Sequence, residues 1–284
     1  MSNYPRVAVL LASYNRKAKT VECIRRVTLQ AKDLAEVTVF LFDDGSTDGT
    51  ASAVAAAFPA TVILRGDGSY FWNRSMKVVF DEALSRGGYD EYLWLNDDTY
   101  LIDGALEALL ASASRVAKQL GPAAIIVGAT RDPDTGKMTY GGGKRVSPIW
   151  RPFRANACMP NGTDQLIGDM NGNIVLVSSA AASRLGSLDP VFQHAMGDTE
   201  YALRAARKGV PVVLAPTYIG TCSRNAVSGS YLDPKLGFMA RMKAAFSRKG
   251  MPARSWWHMC RLYGGPLWLV HFAWCYVRIA MGRR

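Results

Sequence analysis

The chain has 284 residues, of which 49% are hydrophobic and 20% are charged, and its formal net charge is +11. This composition argues against a largely disordered chain, because it supplies enough apolar surface for one large α/β domain or for a domain with an appendage. The positive field favours anionic partners, which include nucleotides, nucleic acid and acidic lipid surfaces, but it does not choose among them.

The cysteines, the histidines and the start of the chain argue against a zinc site, a disulfide-stabilised protein and a secreted protein. Five scattered cysteines include no CxxC pair and only three histidines accompany them, which argues against a zinc site. An odd number of cysteines also argues against a disulfide framework and favours a reducing compartment, so we expect a cytoplasmic protein. We expect no signal peptide, because no charged segment followed by an apolar run opens the chain.

Strand and helix patterns alternate along the first half of the chain. Compact apolar runs predict strands at residues 7–12, 37–42, 61–64, 92–95 and 123–130. Apolar residues at helical spacing, with turn signals at the ends, predict helices at residues 17–31, 50–58, 74–84 and 104–120. This alternation implies parallel βαβ units joined by right-handed crossovers.

The second half of the chain is less regular. Residues 137–160 are rich in Gly, Arg and Pro, which is typical of an insertion or a hairpin. The strands and helices predicted after it are a strand at 172–178, a short helix at 179–185, an amphipathic helix at 198–208 and a late strand at 210–215. We therefore divide the chain into a domain of residues 1–230 and a basic, aromatic, helical region of residues 231–284.

Acidic loops follow three strands or strand-like segments. Residues 43–48 are rich in aspartate, residues 96–98 follow a buried strand, and Asp198 and Glu200 open the amphipathic helix. Open α/β sheets bind ligands at the carboxyl ends of their strands, and in a parallel sheet the first two loops must emerge at the same edge. Adjacent carboxylates there suit Mg²⁺ or Mn²⁺ carrying substrate phosphates, whereas the alternative is a polar turn in which Asp98 caps a helix.

The order of these motifs resembles that of a known family. Residues 10–16 together with residues 43–48 resemble the opening of family 2 glycosyltransferases of the GT-A fold. Residues 96–98 stand where that family carries its DxD metal motif, and residues 197–204 resemble its acidic catalytic-base motif. Residues 66–74 are similar to a Gly-Asp-x-x-x-Trp-Trp stretch of a rhamnosyltransferase-like subset.

The resemblance, which covers residues 5–225, implies a fold and an activity. The fold would be α/β of GT-A type, with a Rossmann-like, mostly parallel central sheet, helices on both faces and a helical C-terminal appendage. The activity would be inverting transfer of a sugar, with Mg²⁺ or Mn²⁺, from dTDP-rhamnose or a UDP-hexose to a hydroxyl of a polysaccharide or lipid-linked glycan. The residues that the resemblance assigns to the nucleotide are Ala12, Ser13, Tyr14, Asn15, Arg16, Asp43, Asp67, Arg74 and Asp97.

The resemblance also assigns the chemistry. Asp98 would bind the metal, and Asp198 would act as the general base with support from Glu200. A plainer alternative makes Asp198 the N-cap of its helix, which is compatible with catalysis. Asn96 and Gly197 depart from the family, which carries Asp and Glu at those positions.

Trp72 and His194 would contact the sugar or the acceptor by the same resemblance. The alternatives are that Trp72 covers an edge of the core and that His194 is an ordinary loop residue.

The region of residues 231–284 suits an interfacial helix on anionic lipid at the inner face of the cell membrane, and it also suits packing on the core or on a second subunit. Aromatic and basic residues can stack on nucleic acid as well, but we expect no nucleic-acid partner.

Two other functions stay open at this level. A nucleotidyltransferase also uses a doubly wound sheet and metal-bound carboxylates, but residues 13–16 lack the glycine-rich phosphate loop that it would need after the first strand. A non-catalytic module that binds nucleotide sugars or a membrane surface is allowed by the departures at Asn96 and Gly197. A dinucleotide oxidoreductase is disfavoured, because no GxGxxG follows the first strand.

Overall fold

The fold is built on a large β-sheet. The computed structural model describes residues 4–282, and within that range the strands form a large sheet of nine strands and a small sheet of three. Residues 1–3 and 283–284, which end the two predicted domains, lie outside the described residues. The strands are β1 (Arg6–Ser13), β2 (Glu36–Asp43), β3 (Val62–Arg65), β4 (Glu91–Leu95), β5 (Tyr100–Leu101), β6 (Ile125–Arg131), β7 (Gly142–Ser147), β8 (Arg151–Cys158), β9 (Gln165–Ile167), β10 (Asp169–Met170), β11 (Ile174–Ser178) and β12 (Val212–Thr221). The helices are α1 (Lys17–Ala31), α2 (Thr50–Ala57), α3 (Phe71–Arg86), α4 (Ala105–Leu120), α5 (Ser179–Leu185), α6 (Gly197–Arg207), α7 (Phe238–Phe246), α8 (Ala253–Tyr263) and α9 (Trp268–Ala280), with a 3₁₀ turn at Gly265–Leu267.

The large sheet is mostly parallel, as predicted. Its strands lie in the order β3-β2-β1-β4-β11-β6-β12-β5, and β9 pairs with β12. β1 runs parallel to β2 and β4, and β6 runs parallel to β12, whereas β11 is antiparallel to β4 and β6. Because β1, β2 and β4 point the same way, the loops that follow them emerge at one edge of the sheet. We call this edge, which begins at Ser13, Asp43 and Leu95, the carboxyl edge.

Helices cover both faces of the large sheet, because its central strands are apolar on both faces. Along β1, Ala8 and Leu10 pack on one face while Val7, Val9 and Leu11 pack on the other, and all are fully buried. α3, α5 and α6 cover the first face, and α1, α2 and α4 cover the second. A strand buried on both sides needs the continuous apolar run that the sequence has here.

The region predicted as an insertion or a hairpin is an antiparallel pair. β7 pairs with β8, and β10 pairs with β7 to complete the small sheet. The sequence does not predict β5, β9 or β10, since strands of two or three residues carry no periodicity. β12 continues to Thr221, beyond the predicted end at residue 215, because its register against β6 shifts between Leu214 and Tyr218 and obscures the strand pattern.

The C-terminal helices dock on the rest of the protein through α8. Trp256, Met259 and Tyr263 of α8 form a buried cluster with Phe192 and with Leu203 of α6. The division of the chain at residue 230 stays a prediction. Across residues 4–282, no helix is both long enough and apolar enough to pass through a bilayer.

A half-buried carboxyl at the start of β4 makes the stability of the fold depend on pH. Burial, with a contribution from Asp90, raises the pKa of Glu91 from 4.5 to about 8. The folded state therefore holds this proton more tightly than the unfolded chain does, so the free energy of unfolding falls as pH rises from 4.5 to about 8. We expect Glu91→Gln to raise Tm by about 3 °C at pH 9 and to leave it nearly unchanged at pH 4.

Thermal melting of Glu91→Gln between pH 4 and pH 9 measures this effect. Glu36→Gln is the matched control, because Glu36 starts the parallel strand β2 and is exposed. The control should change Tm little at either pH. An equal gain for Glu91→Gln at both pH values would contradict the ionisation of Glu91 as the cause.

Candidate functional site

Two loops that are distant in sequence meet at the carboxyl edge. The guanidinium of Arg16, in the loop after β1, donates to Asp97 at 2.8 Å and to Asp98 at 2.7 Å, in the loop after β4. The side chain of Asp97 is only 5% exposed and that of Asp98 is 19% exposed, whereas that of Arg16 is 42% exposed. A cation from the loop after β1 therefore balances the paired carboxylates of the loop after β4. The loops after β2 and β4, which carry the first two acidic motifs, emerge at this same edge because both strands run parallel to β1, so that prediction is confirmed.

The loop after β2 packs against the loop after β1 at the carboxyl edge. We call these two loops the floor of the site. The amide of Asn15 donates to the hydroxyl of Ser46 at 2.8 Å, and the side-chain oxygen of Asn15 accepts from the amide of Thr47 at 2.8 Å. Asn15 has a φ of +51°, so it takes the left-handed conformation that this close approach needs. Asp43 is buried and accepts from the amide of Ser46 at 2.9 Å, which fixes its carboxyl at the end of β2.

A glycine-rich loop of residues 66–70 leads into α3 beside this floor. Asp44 accepts from the amides of Gly68, Tyr70 and Phe71, at 3.0 Å for Gly68 and Phe71, and so caps the helix from another loop. Asp67 is exposed and accepts from the amide and hydroxyl of Ser69, which closes its own turn. The structure therefore places Asp67 at the rim of the floor.

Trp72 forms a wall next to the carboxylates. Its indole N–H donates to the side-chain oxygen of Asn96 at 2.6 Å, so this ring engages the amide that stands where the family has its first acid. Its ring lies so close to Gly172 that a Cβ on that glycine would come within 2.4 Å of it. Trp72 is thus packed between the loop after β4 and the segment before β11.

Asp198 is half-buried at the start of α6. One of its oxygens accepts from the amide of Gly172 at 3.0 Å and the other from the amide of Thr199 at 2.9 Å. Burial raises the pKa of Asp198, and these backbone hydrogen bonds oppose that rise only in part. The alternative that Asp198 is the N-cap of its helix is wrong, because Met196 is the N-cap and Asp198 is the second residue of α6. Its carboxyl lies in the first turn of the helix and has increased basicity.

Adjacent residues connect the second and third acidic loops. The amide of Gly172 donates to Asp198, and the carbonyl of Asn173 accepts from the amide of Asn96 at 3.0 Å. The side chain of Asn173 also donates to the hydroxyl of Thr99, the residue after Asp98, at 3.3 Å. We call residues 172–173 the bridging segment. It brings the base candidate and the metal-ligand candidate to the same part of the molecule.

The second departure from the family has a steric cause. A Cβ on Gly197 would lie 1.7 Å from the side-chain oxygen of Asn73, so no larger residue fits there. Asn73 is fully buried, and its amide donates to the carbonyls of Asp189 and Phe192 at 2.9 Å and 2.8 Å. The start of α3 and the start of α6 therefore pack directly on each other, which positions Asp198.

Asp169 is a site residue that the sequence analysis missed. Burial, together with the neighbouring charge of Asp198, raises the pKa of Asp169 from 3.8 to about 6. One of its oxygens is buried and has no hydrogen-bond partner among residues 4–282. The available signal was the polar stretch of residues 168–173 directly before the buried strand β11.

Glu200 contacts a different part of the molecule from Asp198. It is 2% exposed and accepts from Arg204 at 2.8 Å and from the hydroxyl of Tyr263 at 2.7 Å. Tyr263 belongs to α8, so this carboxyl ties the C-terminal helices to α6. These contacts indicate a structural role.

His194 and Arg74 flank the site on the side of α3. His194 is half-buried and packs edge-on against Phe71, and burial, followed by the charges of Lys249 and Arg16, lowers its pKa. Arg74 donates to the carbonyl of Pro190 at 3.2 Å. Arg248 lies over the ring of Phe71 at 5.3 Å, so the turn between α7 and α8 reaches this side of the site.

The carboxylates fit a divalent cation that arrives with its phosphates. One oxygen of Asp97 is buried and has no hydrogen-bond partner within the described residues, and Asp98 lies beside it. Residues 4–282 contain no group of three or more His, Cys, Asp or Glu side chains that could hold a metal ion. Mg²⁺ does not need such a group, because it is usually bound by one or two carboxylates plus substrate phosphates.

Comparison with known proteins agrees with this geometry. A family model described as Glycosyl transferase family 2 matches residues 8–173. An N-acetylglucosaminyl-diphospho-decaprenol L-rhamnosyltransferase of Mycobacterium tuberculosis is 24% identical over 246 residues, which are 78% of this chain and 77% of the relative.

Solved structures share the fold. Mannosyltransferase PcManGT from Pyrobaculum calidifontis, in complex with GDP-Man and Mn²⁺, has a TM-score of 0.59 at 15% identity and covers 99% of this chain and 74% of its own. TarS of S. aureus, in complex with UDP, has a TM-score of 0.57 at 11% identity, over 90% of this chain and 70% of its own. The family match, which spans more than half of the chain, means that this protein belongs to glycosyl transferase family 2 and is a nucleotide-sugar glycosyltransferase of the GT-A fold.

Proposed function

We propose that the protein transfers a sugar, with inversion, from dTDP-rhamnose or a UDP-hexose to a hydroxyl of a polysaccharide or lipid-linked glycan. The observation that carries this proposal is the bridging segment, which bonds to Asp198 through Gly172 and to the loop of Asp98 through Asn173. A single displacement at a sugar needs stabilisation of the leaving group on one side and a base on the other. Acids from two distant loops meet that need.

The donor would bind on the floor formed by the loops after β1 and β2. The buried carboxyl of Asp43 would accept from the ring N–H of a pyrimidine base, which favours uracil or thymine. Arg16 would meet the diphosphate, because its guanidinium is partly exposed and lies beside Asp97 and Asp98. The other residues proposed for the nucleotide are Ala12, Ser13, Tyr14, Asn15, Asp67 and Arg74.

Asp98, with Asp97 beside it, would hold Mg²⁺ or Mn²⁺. When bound, such an ion neutralises the charge that develops on the leaving nucleoside diphosphate. Asp97 supports this assignment, since one of its oxygens is buried and has no hydrogen-bond partner within the described residues, and the partly exposed carboxylate of Asp98 lies beside it.

Asp198 would take the proton of the acceptor hydroxyl as its oxygen attacks the anomeric carbon. The new C–O bond forms while the bond between the anomeric carbon and the diphosphate oxygen breaks, and the nucleoside diphosphate leaves with that electron pair. The pKa of Asp198 is raised by burial, which makes its carboxylate a better base. Trp72 and His194 would border the sugar, because Trp72 packs on the bridging segment and His194 packs on Phe71, the residue before Trp72.

A lipid-linked acceptor is supported by the C-terminal helices. On α9, Leu269, Val270, Trp274 and Val277 are 44% to 59% exposed and recur at helical spacing, so they form an apolar stripe. A stripe of this kind beside many basic residues suits a peripheral position on anionic lipid at the inner face of the cell membrane. The M. tuberculosis relative, by its name, acts on a diphospho-decaprenol-linked sugar.

Nucleotide screening by thermal melting tests the donor assignment. We expect dTDP or UDP, at a large excess over Kd and with Mn²⁺, to raise Tm by about 5 °C, and GDP to raise it by less than about 1 °C. The nucleotide that stabilises the protein then selects the sugar donors for a transfer assay. Stabilisation by GDP alone would contradict the role of Asp43.

The pair of Asp198 and Asp169 predicts how activity depends on pH. Burial raises the pKa of Asp198, so kcat/KM should fall as pH drops and the base becomes protonated, at a higher pH than for an ordinary aspartate. The charge of Asp198 helps to raise the pKa of Asp169 to about 6, so the two carboxyls interact, and Asp169→Asn should move the acidic limb of the pH profile to lower pH.

A pH profile of kcat/KM for the Asp169→Asn variant checks this. Asp134→Asn is the control, because Asp134 lies on an exposed turn and should leave the profile unchanged. An acidic limb that stays in place in Asp169→Asn would show that another group controls it.

A further inference from the structure

A groove next to the site is lined by none of the residues that we propose for the nucleotide. It has a volume of about 760 Å³ and lies between the start of β8, residues 231–234 and the helices α8 and α9. Its apolar walls are formed by Phe153, Met251, Trp256, Met259, Trp274 and Ile279. Aromatic and methionine side chains of this kind suit a flexible hydrocarbon.

The groove is also cationic. Arg151, Arg154, Arg241 and Arg278 line it, and Asp233 is the carboxylate among its lining residues. Asp233 accepts from the backbone amides of Gly229 and Lys235, so its charge is already engaged. Within residues 4–282, neither Arg154 nor Arg278 forms an ion pair with a carboxylate. Unpaired guanidinium groups above an apolar wall fit a ligand with an anionic head and an apolar chain.

The groove continues to the proposed catalytic base. Met196 and Thr199, which flank Asp198 in the chain, both line it. A smaller cavity shares Phe153, Arg154 and Thr199 with the groove and reaches Asp169. A ligand whose anionic head group lies at Arg154 is therefore next to Asp169 and Asp198.

The other end of the groove opens on the apolar stripe of α9. Trp274 lines the groove, is 52% exposed and belongs to that stripe. A hydrocarbon chain in the groove can therefore leave it at the surface that would face lipid. A soluble glycan has no use for this apolar exit.

We propose that this groove binds the acceptor as a long-chain isoprenoid diphosphate that carries the sugar to be extended. The diphosphate lies on Arg154 and Arg278, the chain lies on Trp256, Trp274 and Met259, and the attached sugar extends past Thr199 to Asp198. This inference rests on the proposed function, because it needs Asp198 as the base. It adds the place at which the acceptor binds and the residues that hold its diphosphate and its chain.

Binding of farnesyl diphosphate, a short isoprenoid diphosphate, tests the groove without any need for turnover. Trp256 and Trp274 line the groove, so tryptophan fluorescence reports the titration. We expect saturable binding of farnesyl diphosphate, and binding of farnesol or inorganic diphosphate weaker by about tenfold or more, since each lacks one half of the ligand. The double variant Arg154→Ala, Arg278→Ala should weaken binding of farnesyl diphosphate by about tenfold or more, with Tm and the binding of dTDP or UDP unchanged.

Arg254→Ala, Arg261→Ala is the matched control. It removes the same charge from the exposed face of α8, outside the groove, and should keep farnesyl diphosphate binding within about twofold. The inference is overturned if the groove variant binds like the wild type, if the control loses as much affinity, or if inorganic diphosphate binds as tightly as farnesyl diphosphate. Binding of dTDP or UDP without binding of farnesyl diphosphate would reject the groove alone. Failure of every nucleotide to bind would instead reject the proposed function.

Discussion

Asp198→Asn should lower kcat by about 10³-fold and leave the Kd of the donor nucleotide within about twofold. The amide can still accept from the backbone amide of Gly172, so the start of α6 should keep its place. The amide cannot take a proton from the acceptor hydroxyl, so the substitution slows the chemical step. Steady-state kinetics with the donor selected by thermal melting, and titration of the nucleotide, measure the two effects separately.

Glu107→Gln serves as the control for this variant, because Glu107 lies on the exposed face of α4. It should keep full activity. A fully active Asp198→Asn enzyme would mean that another group is the base, and Asp169 would be the first alternative because it lies beside Asp198. Loss of nucleotide binding in Asp198→Asn would place this residue at the donor instead.

Asp98→Asn should abolish the effect of Mn²⁺ on nucleotide binding and lower kcat/KM by about 10²- to 10³-fold. The carboxylate would hold the cation, so without it the nucleotide binds with or without Mn²⁺ to the same extent. Isothermal titration of dTDP or UDP, with Mn²⁺ and with EDTA, measures the difference in Kd between the two conditions.

Asp103→Asn, five residues along the chain, is the control, because Asp103 is exposed in the turn before α4. It should bind nucleotide with the same dependence on Mn²⁺ as the wild type. If Asp98→Asn keeps the wild-type response to Mn²⁺, the metal is bound elsewhere. If the wild type shows no response to any divalent cation, Arg16 must carry the charge stabilisation without a metal.

The sequence predicts the sheet and its acidic edge well, for a physical reason. β1 and β4 are buried on both faces, so each is a continuous apolar run that ends where the polar loop starts. Parallel pairing of β1 with β4 then fixes that their loops emerge together, and Arg16 reaches Asp97 and Asp98 as that topology requires. Local patterns and one topological rule suffice for this part.

Other features of the site depend on contacts that no local pattern encodes. Asp169 reaches Asp198 only because β10 adds to the small sheet beside α6. Gly197 is explained by Asn73, which is distant in the chain and packs against it. Glu200 looks catalytic next to Asp198 in sequence, yet its contact with Tyr263 depends on how α8 docks.

A crystal structure of the protein with dTDP or UDP and Mn²⁺ tests the central claim most directly. Anomalous scattering should place Mn²⁺ about 2.2 Å from the Asp98 carboxylate, on the diphosphate, with the carboxyl of Asp198 open to the same cleft. The space between the diphosphate and Asp198 should be wide enough for one sugar. A nucleotide bound away from the carboxyl edge, or a wall of side chains between the diphosphate and Asp198, would contradict the proposed transfer.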